Sequence, residues 1–162
     1  MKKIIYSFFL LFFTSSLIAS EISIVDITYL LKNSNKGKSI QKELDNLNSK
    51  NFKKFKEKKK LLEIEEKKVA SKKNILSKED FNSEVLKFKK KVQNYENDRR
   101  KSAQEINNIK LKKIAKLLDE INKILVEYSS KNSISTIVDK KNVIITKEEN
   151  DITKKILTIL DS

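Results

Sequence analysis

Cysteine, histidine, tryptophan and proline are all missing from these 162 residues, and glycine and methionine occur once each. Without cysteine there is no disulfide framework, no thiol nucleophile and no thiolate metal site. Without histidine the chain lacks the commonest transition-metal ligand and the side chain that carries protons near neutral pH. No glycine-rich phosphate loop or nucleophile constellation is visible. The carboxylates Asp26 and Asp139 each lie in or just after a strand-like run, where turn and cap roles are commoner than acid–base work. The chain is therefore read as a non-enzyme with no catalytic residue, no metal and no cofactor. The missing prolines and the single glycine also mean that little in the sequence would interrupt a long helix.

What is present is charge. Lys and Arg number 36 against 22 Asp and Glu, a formal net charge of +14. Between residues 50 and 101, 19 cations stand against 9 carboxylates, so ten of the fourteen net charges fall in that block. With 36% charged and 38% apolar residues the chain is too polar for a compact core of its length, and an elongated molecule is expected. Residues 1–20 read as a targeting segment: Lys2 and Lys3, an apolar run from Ile4 to Phe13, then Thr14, Ser15, Ser16, Ala19 and Ser20. That run is shorter than the roughly 20 residues a membrane span needs. Cleavage near Ala19 or Ser20 and export from the cytoplasm are expected.

Glu21 to Leu31 begins with the alternation Ile22, Ile24 and Val25 and shifts to the helical spacing Ile27, Leu30, Leu31, predicting a short strand and then one or two helical turns. Asn33 to Gly37 is a loop signal. From Lys38 to Ala70, Ile40, Leu44, Leu47, Phe55, Leu62 and Val69 form one narrow stripe, with Phe52 and Ile64 well off it. Residues 71–77 break the pattern, and Ser77 followed by Glu79 and Asp80 resembles a helix cap. A second helix is expected over residues 78–128. Its seam of alternating four- and three-residue steps carries Phe81, Val85, Phe88, Val92, Tyr95, Ile106 and Ile109, is interrupted at Arg99 and Ser102, and resumes one residue out of register as Ile114, Leu118, Ile121, Leu125 and Tyr128. The helices would be roughly 50 and 75 Å long. Antiparallel pairing about residue 74 would match Leu62 with Val85 and Leu86, and Phe55 with Val92, and would leave the second helix unpaired beyond residue 110. The β-branched runs 134–139 and 142–146 predict a hairpin, and Asp151 is expected to cap a last helix carrying Ile152, Ile156, Ile159 and Leu160 on one face.

These elements add up to an α+β, mostly α chain. A helical hairpin arm over 38–128, turning near 71–77, is inserted in a small β-rich head made from 21–37 and 129–162. So small a head needs self-association to bury its strand faces. The segments ISIVDITYLL at 22–31, YENDRRKS at 95–102, and ISTIVDKKNVIIT with DITKKILTIL at 134–160 resemble the Skp, or OmpH-like, family of periplasmic chaperones. The resemblance implies a homotrimer whose arms enclose a cavity that receives unfolded outer-membrane proteins without ATP, and a contact with anionic lipid or lipopolysaccharide at Arg99, Arg100 and Lys101. From the residues themselves, the off-stripe Phe52, Ile64 and Leu86 are candidate client contacts, with Lys53, Lys54, Lys56, Lys58, Lys59 and Lys60 as the cationic field around them.

Two other function classes fit parts of the pattern. A structural coiled coil of the envelope explains the heptads and the targeting segment, but needs neither a terminal sheet nor charge confined to the arm. A nucleic-acid binder explains cationic arms, and export argues against it, so no nucleic acid is expected as a partner.

Overall fold

The computed structural model describes residues 21–162, so the expected targeting segment lies outside the described residues. Along the chain run strand β1 (Glu21–Val25), helices α1 (Ile27–Asn33), α2 (Asn35–Ser71) and α3 (Lys78–Lys131), strand β2 (Ile134–Asp139) and helix α4 (Thr153–Leu160). The two chain ends meet: β1 pairs with β2 in parallel, with Ile22 opposite Thr136, Ser23 opposite Ile137 and Ile24 opposite Val138. On the other edge of β1, Ile24 bridges to Asp151 and its carbonyl accepts from the Ile152 N–H at 2.9 Å. Flanked on both edges, β1 buries three consecutive residues, Ser23, Ile24 and Val25, rather than every second one. That is the habit of a covered parallel strand.

The core beneath this pair joins Val25, Leu30, Leu117, Ile121, Ile152, Ile156 and Leu160. Polar caps hold its elements in place. Asp26 Oδ1 accepts from the Tyr29 N–H at 2.8 Å and starts α1, while the Asp26 N–H donates to Thr153 Oγ1 at 2.8 Å. Asp151 Oδ1 accepts from the Thr153 N–H at 3.0 Å, and Lys140 Nζ donates to Asp151 Oδ2 at 2.7 Å. Burial pushes the Asp151 carboxyl up, and the hydrogen bonds from Lys140 and Thr153 outweigh it, leaving the group below its ordinary value. Between α1 and α2 a single buried residue, Ser34, serves both helices: its N–H donates to the Leu30 carbonyl and its Oγ accepts from the Gly37 N–H at 3.1 Å.

From this head α2 and α3 extend as an antiparallel hairpin. The 54-residue α3 is about 80 Å long at 1.5 Å per residue. All six stripe residues of α2 turn inward, as do the expected apolar seam residues of α3. At the tip α2 gives way to a 3-10 turn over Lys72–Asn74, and Ser77 Oγ caps α3 by accepting from the Asp80 N–H at 3.1 Å.

Three expectations need correction. The helices pair about one turn out from the expected register: the Phe55 ring meets Tyr95, with centroids 5.8 Å apart, rather than Val92. The cause lies at the tip, where the 3-10 turn carries the line of α2 on to Asn74, so that the chain reverses at 75–77. α2 also begins earlier than expected, and its Lys36 pairs with Glu120, so α3 stays accompanied past residue 110. Finally, 142–146 forms no second strand of a hairpin. Lys140–Asn142 makes a 3-10 turn capped by a hydrogen bond from the Lys141 N–H to Asp139 Oδ1 and closed by one from the Val143 N–H to the Lys140 carbonyl, and Ile144 and Ile145 stand 99% and 89% exposed. A two-residue hairpin turn needs positive φ, and Lys140 and Lys141 do not adopt it; among the described residues only Ser133 does, at φ 56°.

Candidate functional site on the helical arm

An i,i+7 series of ion pairs crosses the hairpin: Lys58 with Asp98 at 3.0 Å, Glu65 with Lys91, and Lys72 with Glu84 at 2.8 Å. Nearer the head, Glu43 pairs with Lys113 at 2.8 Å and Lys36 with Glu120. The steps are seven residues within each group and fifteen between Glu43 and Lys58, one more than two heptads. The extra residue falls where the seam of α3 was seen to slip. There Ser102 Oγ donates to Asn51 Oδ1 at 2.7 Å, a polar contact in place of an apolar layer.

This ladder sorts the candidate residues. Phe52, Ile64 and Leu86 lie outside the seam, at 68%, 51% and 66% exposure, whereas Phe55 is buried. Lys56 Nζ lies 5.9 Å from the centroid of the Phe52 ring; Lys54 and Lys58 each lie 5.5 Å from that of Phe55. Lys58 belongs to the hairpin itself, since its ammonium holds the Asp98 carboxyl below the ordinary carboxylate value. Lys59 makes a loose pair with Glu63 at 3.7 Å within α2. Lys53 and Lys60 have no carboxylate within 4 Å among the described residues.

Arg99, Arg100 and Lys101 do not form one cluster. Consecutive helical residues are separated by about 100°, so three in a row cannot share a face. Arg100 Nη2 turns back along α3 to Asn97 Oδ1 at 2.6 Å, Lys101 adds to the field on Asp98, and Arg99 reaches Glu96 at 4.0 Å. Arg99 instead joins Phe52, Lys56 and Lys59 of α2 around a groove of about 390 Å³, whose remaining lining is Asn48, Asn51, Phe55 and Tyr95. Ile64, Leu86, Arg100 and Lys101 stand outside it. Sequence reasoning assigned Tyr95 to the seam and passed over Asn48 and Asn51. The signal was present in the break at Arg99 and Ser102, which required a polar partner on α2. Among the described residues no group of three or more acidic side chains could hold a metal ion.

With this geometry in hand, comparison with known proteins gives three results. The family described as outer membrane protein (OmpH-like) matches residues 21–160. A crystal structure from Caulobacter crescentus CB15, of a protein described as a candidate outer membrane chaperone (OmpH-like), superposes with a TM-score of 0.80 at 16% identity, covering 87% of this chain and 83% of the other. No curated protein matches. The family match spans nearly all of the described chain, and the chain belongs to the OmpH-like family.

Proposed function

We propose, from membership of the OmpH-like family, that this protein is a periplasmic holdase, which binds unfolded outer-membrane proteins between its basic arms and prevents their aggregation without ATP. The observation that carries this reading is the division of the arm surface. Carboxylates such as Glu63, Glu65 and Asp98 are drawn into pairs across or along the hairpin, while Lys53, Lys60 and the apolar Phe52, Ile64 and Leu86 face solvent. A nascent β-barrel exposes alternating apolar side chains and unpaired strand edges, so it aggregates in water until it reaches lipid. Scattered exposed apolar contacts in a cationic field would hold such a chain weakly and release it readily.

Self-association, as a trimer, is the second half of the proposal. It is supported by the unpaired β-branched run 143–146, with Ile144 and Ile145 almost wholly exposed beside a sheet of two strands. Export is supported by the targeting pattern of residues 1–20.

Dilution of a urea-unfolded outer-membrane protein into buffer with the processed chain at stoichiometric concentration tests the holdase. Suppressed light scattering is expected, with capture slowing as salt rises from low to several hundred millimolar. Unchanged aggregation would leave a structural coiled coil of the envelope as the better reading. A light-scattering mass equal to one chain would overturn the trimer.

A further inference from the structure

The groove at mid-arm differs from its neighbours in one respect. Three other grooves described between the arm helices each contain two or more carboxylates: Glu63, Glu66 and Glu96 in one, Glu43, Asp119 and Glu120 in the next, Glu65 and Glu84 in the third. The mid-arm groove is lined by Lys56, Lys59 and Arg99 and by no carboxylate. Three of the arm's aromatic rings, Phe52, Phe55 and Tyr95, also meet there. Phe55 and Tyr95 lie edge to face, at 66° between ring planes, and Phe52 projects from the α2 side with two-thirds of its surface in water. The Asn51 side chain accepts from Ser102 through its oxygen, which leaves its amide hydrogens available as donors.

Exposed aromatic surface beside cations whose carboxylate partners are loose pairs along their own helices, at 3.7 Å for Lys59 and 4.0 Å for Arg99, selects for a ligand that carries both an apolar ring and an anion. We infer that this groove is a subsite for an aromatic side chain next to a carboxylate in an extended, unfolded polypeptide. The ring stacks on Phe52 and Tyr95, the carboxylate meets Arg99 and Lys56, and Asn51 donates to a backbone carbonyl. The inference rests on the holdase reading above and gives it a local sequence preference.

Three fluorescein-labelled octapeptides test it by anisotropy against the processed full chain: one with Phe flanked by Asp, one with Phe flanked by Lys, and one with Leu flanked by Asp. The first should bind about tenfold more tightly than either of the others. Phe52→Ser and Arg99→Gln should each remove that preference, while Lys60→Gln, outside the groove, should leave it intact. Both altered side chains are exposed, and circular dichroism verifies that the variants fold. Equal affinity for the three peptides, or a preference that survives Phe52→Ser, overturns the subsite. So does a groove that ignores the peptides and instead binds phosphatidylglycerol vesicles through Arg99. The aggregation assay separates the two readings. Client protection with no peptide preference sinks the subsite alone, and loss of both sinks the holdase as well.

Discussion

Gly37 is the only glycine in the chain, and it sits in the first turn of α2, where the usual expectation is that alanine would be better by about 1 kcal/mol. The structure reverses that expectation. A Cβ at Gly37 would lie 1.9 Å from the Leu31 carbonyl oxygen, 2.8 Å from its carbon and 3.0 Å from Ser34 Oγ. The first two are backbone atoms of α1, so no side chain can swing aside to make room. Relief requires α1 to move away from α2 by more than an ångström, which loosens Leu30 in the core and the Ser34 hydrogen bond to the Gly37 N–H. Overpacking typically costs 1–3 kcal/mol and damage to a cap about 1 more, so Gly37→Ala should destabilise by about 1–3 kcal/mol net of the helix-propensity gain. At about 3 °C per kcal/mol for a chain of this size, Tm should fall by about 3–9 °C. Thermal unfolding followed at 222 nm, at one fixed protein concentration because association shifts Tm, gives the value. Lys38→Ala, on the exposed face of the same helix, serves as the control. A Gly37→Ala protein as stable as its parent, or more so, would refute the close approach of the two helices and with it the account of how the arm is set on the head.

Other substitutions probe the arm. Phe55→Ala should cost about 3–5 kcal/mol as a buried ring lost from the seam, whereas Phe52→Ala, on the exposed face, should stay within about 0.5 kcal/mol of the parent in urea denaturation. The Lys72 hydrogen bond, helped by Lys87, lowers the Glu84 carboxyl from 4.5 to about 2. Because the folded value is the lower one, the stabilisation is fully present above about 4.5 and is lost as pH falls through about 2. Tm should therefore decline less between pH 5 and pH 2 in Glu84→Gln than in the parent, and equal slopes would remove this carboxylate from the acid response.

The long elements were legible in the sequence because their signal is repeated many times. Ile40, Leu44, Leu47, Phe55, Leu62 and Val69 mark one face over eight turns, and a single misfit cannot erase it. Ser77 with Glu79 and Asp80 placed the start of α3 because capping is a local hydrogen bond written in adjacent residues. The pairing of the helices was not legible to better than a turn, since it depends on how residues 72–77 are used, and their conformation carries no periodic mark. The run 142–146 misled for a related reason. Its composition favours a strand, but a strand needs a partner, and the turn residues Lys140 and Lys141 bring none. Leu117 was overlooked because it joins the head core with Leu30, Ile152 and Ile156, and a seam read along one helix does not contain that position. The groove was half legible: Phe52, Lys56 and Lys59 were singled out together, but only the observed register brings Arg99 to them.

That register is defended by the order of signs along the ladder. α2 presents Lys58, Glu65 and Lys72 to Asp98, Lys91 and Glu84 of α3. A slip of one heptad in one direction sets Lys58 against Lys91 and Glu65 against Glu84; in the other it sets Glu65 against Asp98 and Lys72 against Lys91. Either slip replaces attractions by like-charge contacts, although each exposed pair is worth at most about 1 kcal/mol to stability. Exchanging the middle pair by Glu65→Lys with Lys91→Glu keeps every native attraction but makes the slipped contacts among these three pairs attractive too. Since the chain has no cysteine of its own, introduced pairs report the register cleanly. Asn51→Cys with Ser102→Cys should cross-link in the native alignment, and Asn51→Cys with Tyr95→Cys only after a slip. The charge exchange should raise the second cross-link severalfold while Tm changes by less than about 3 °C. An unaltered cross-linking pattern would mean that the apolar seam alone fixes the alignment and that the carboxylates serve only to neutralise.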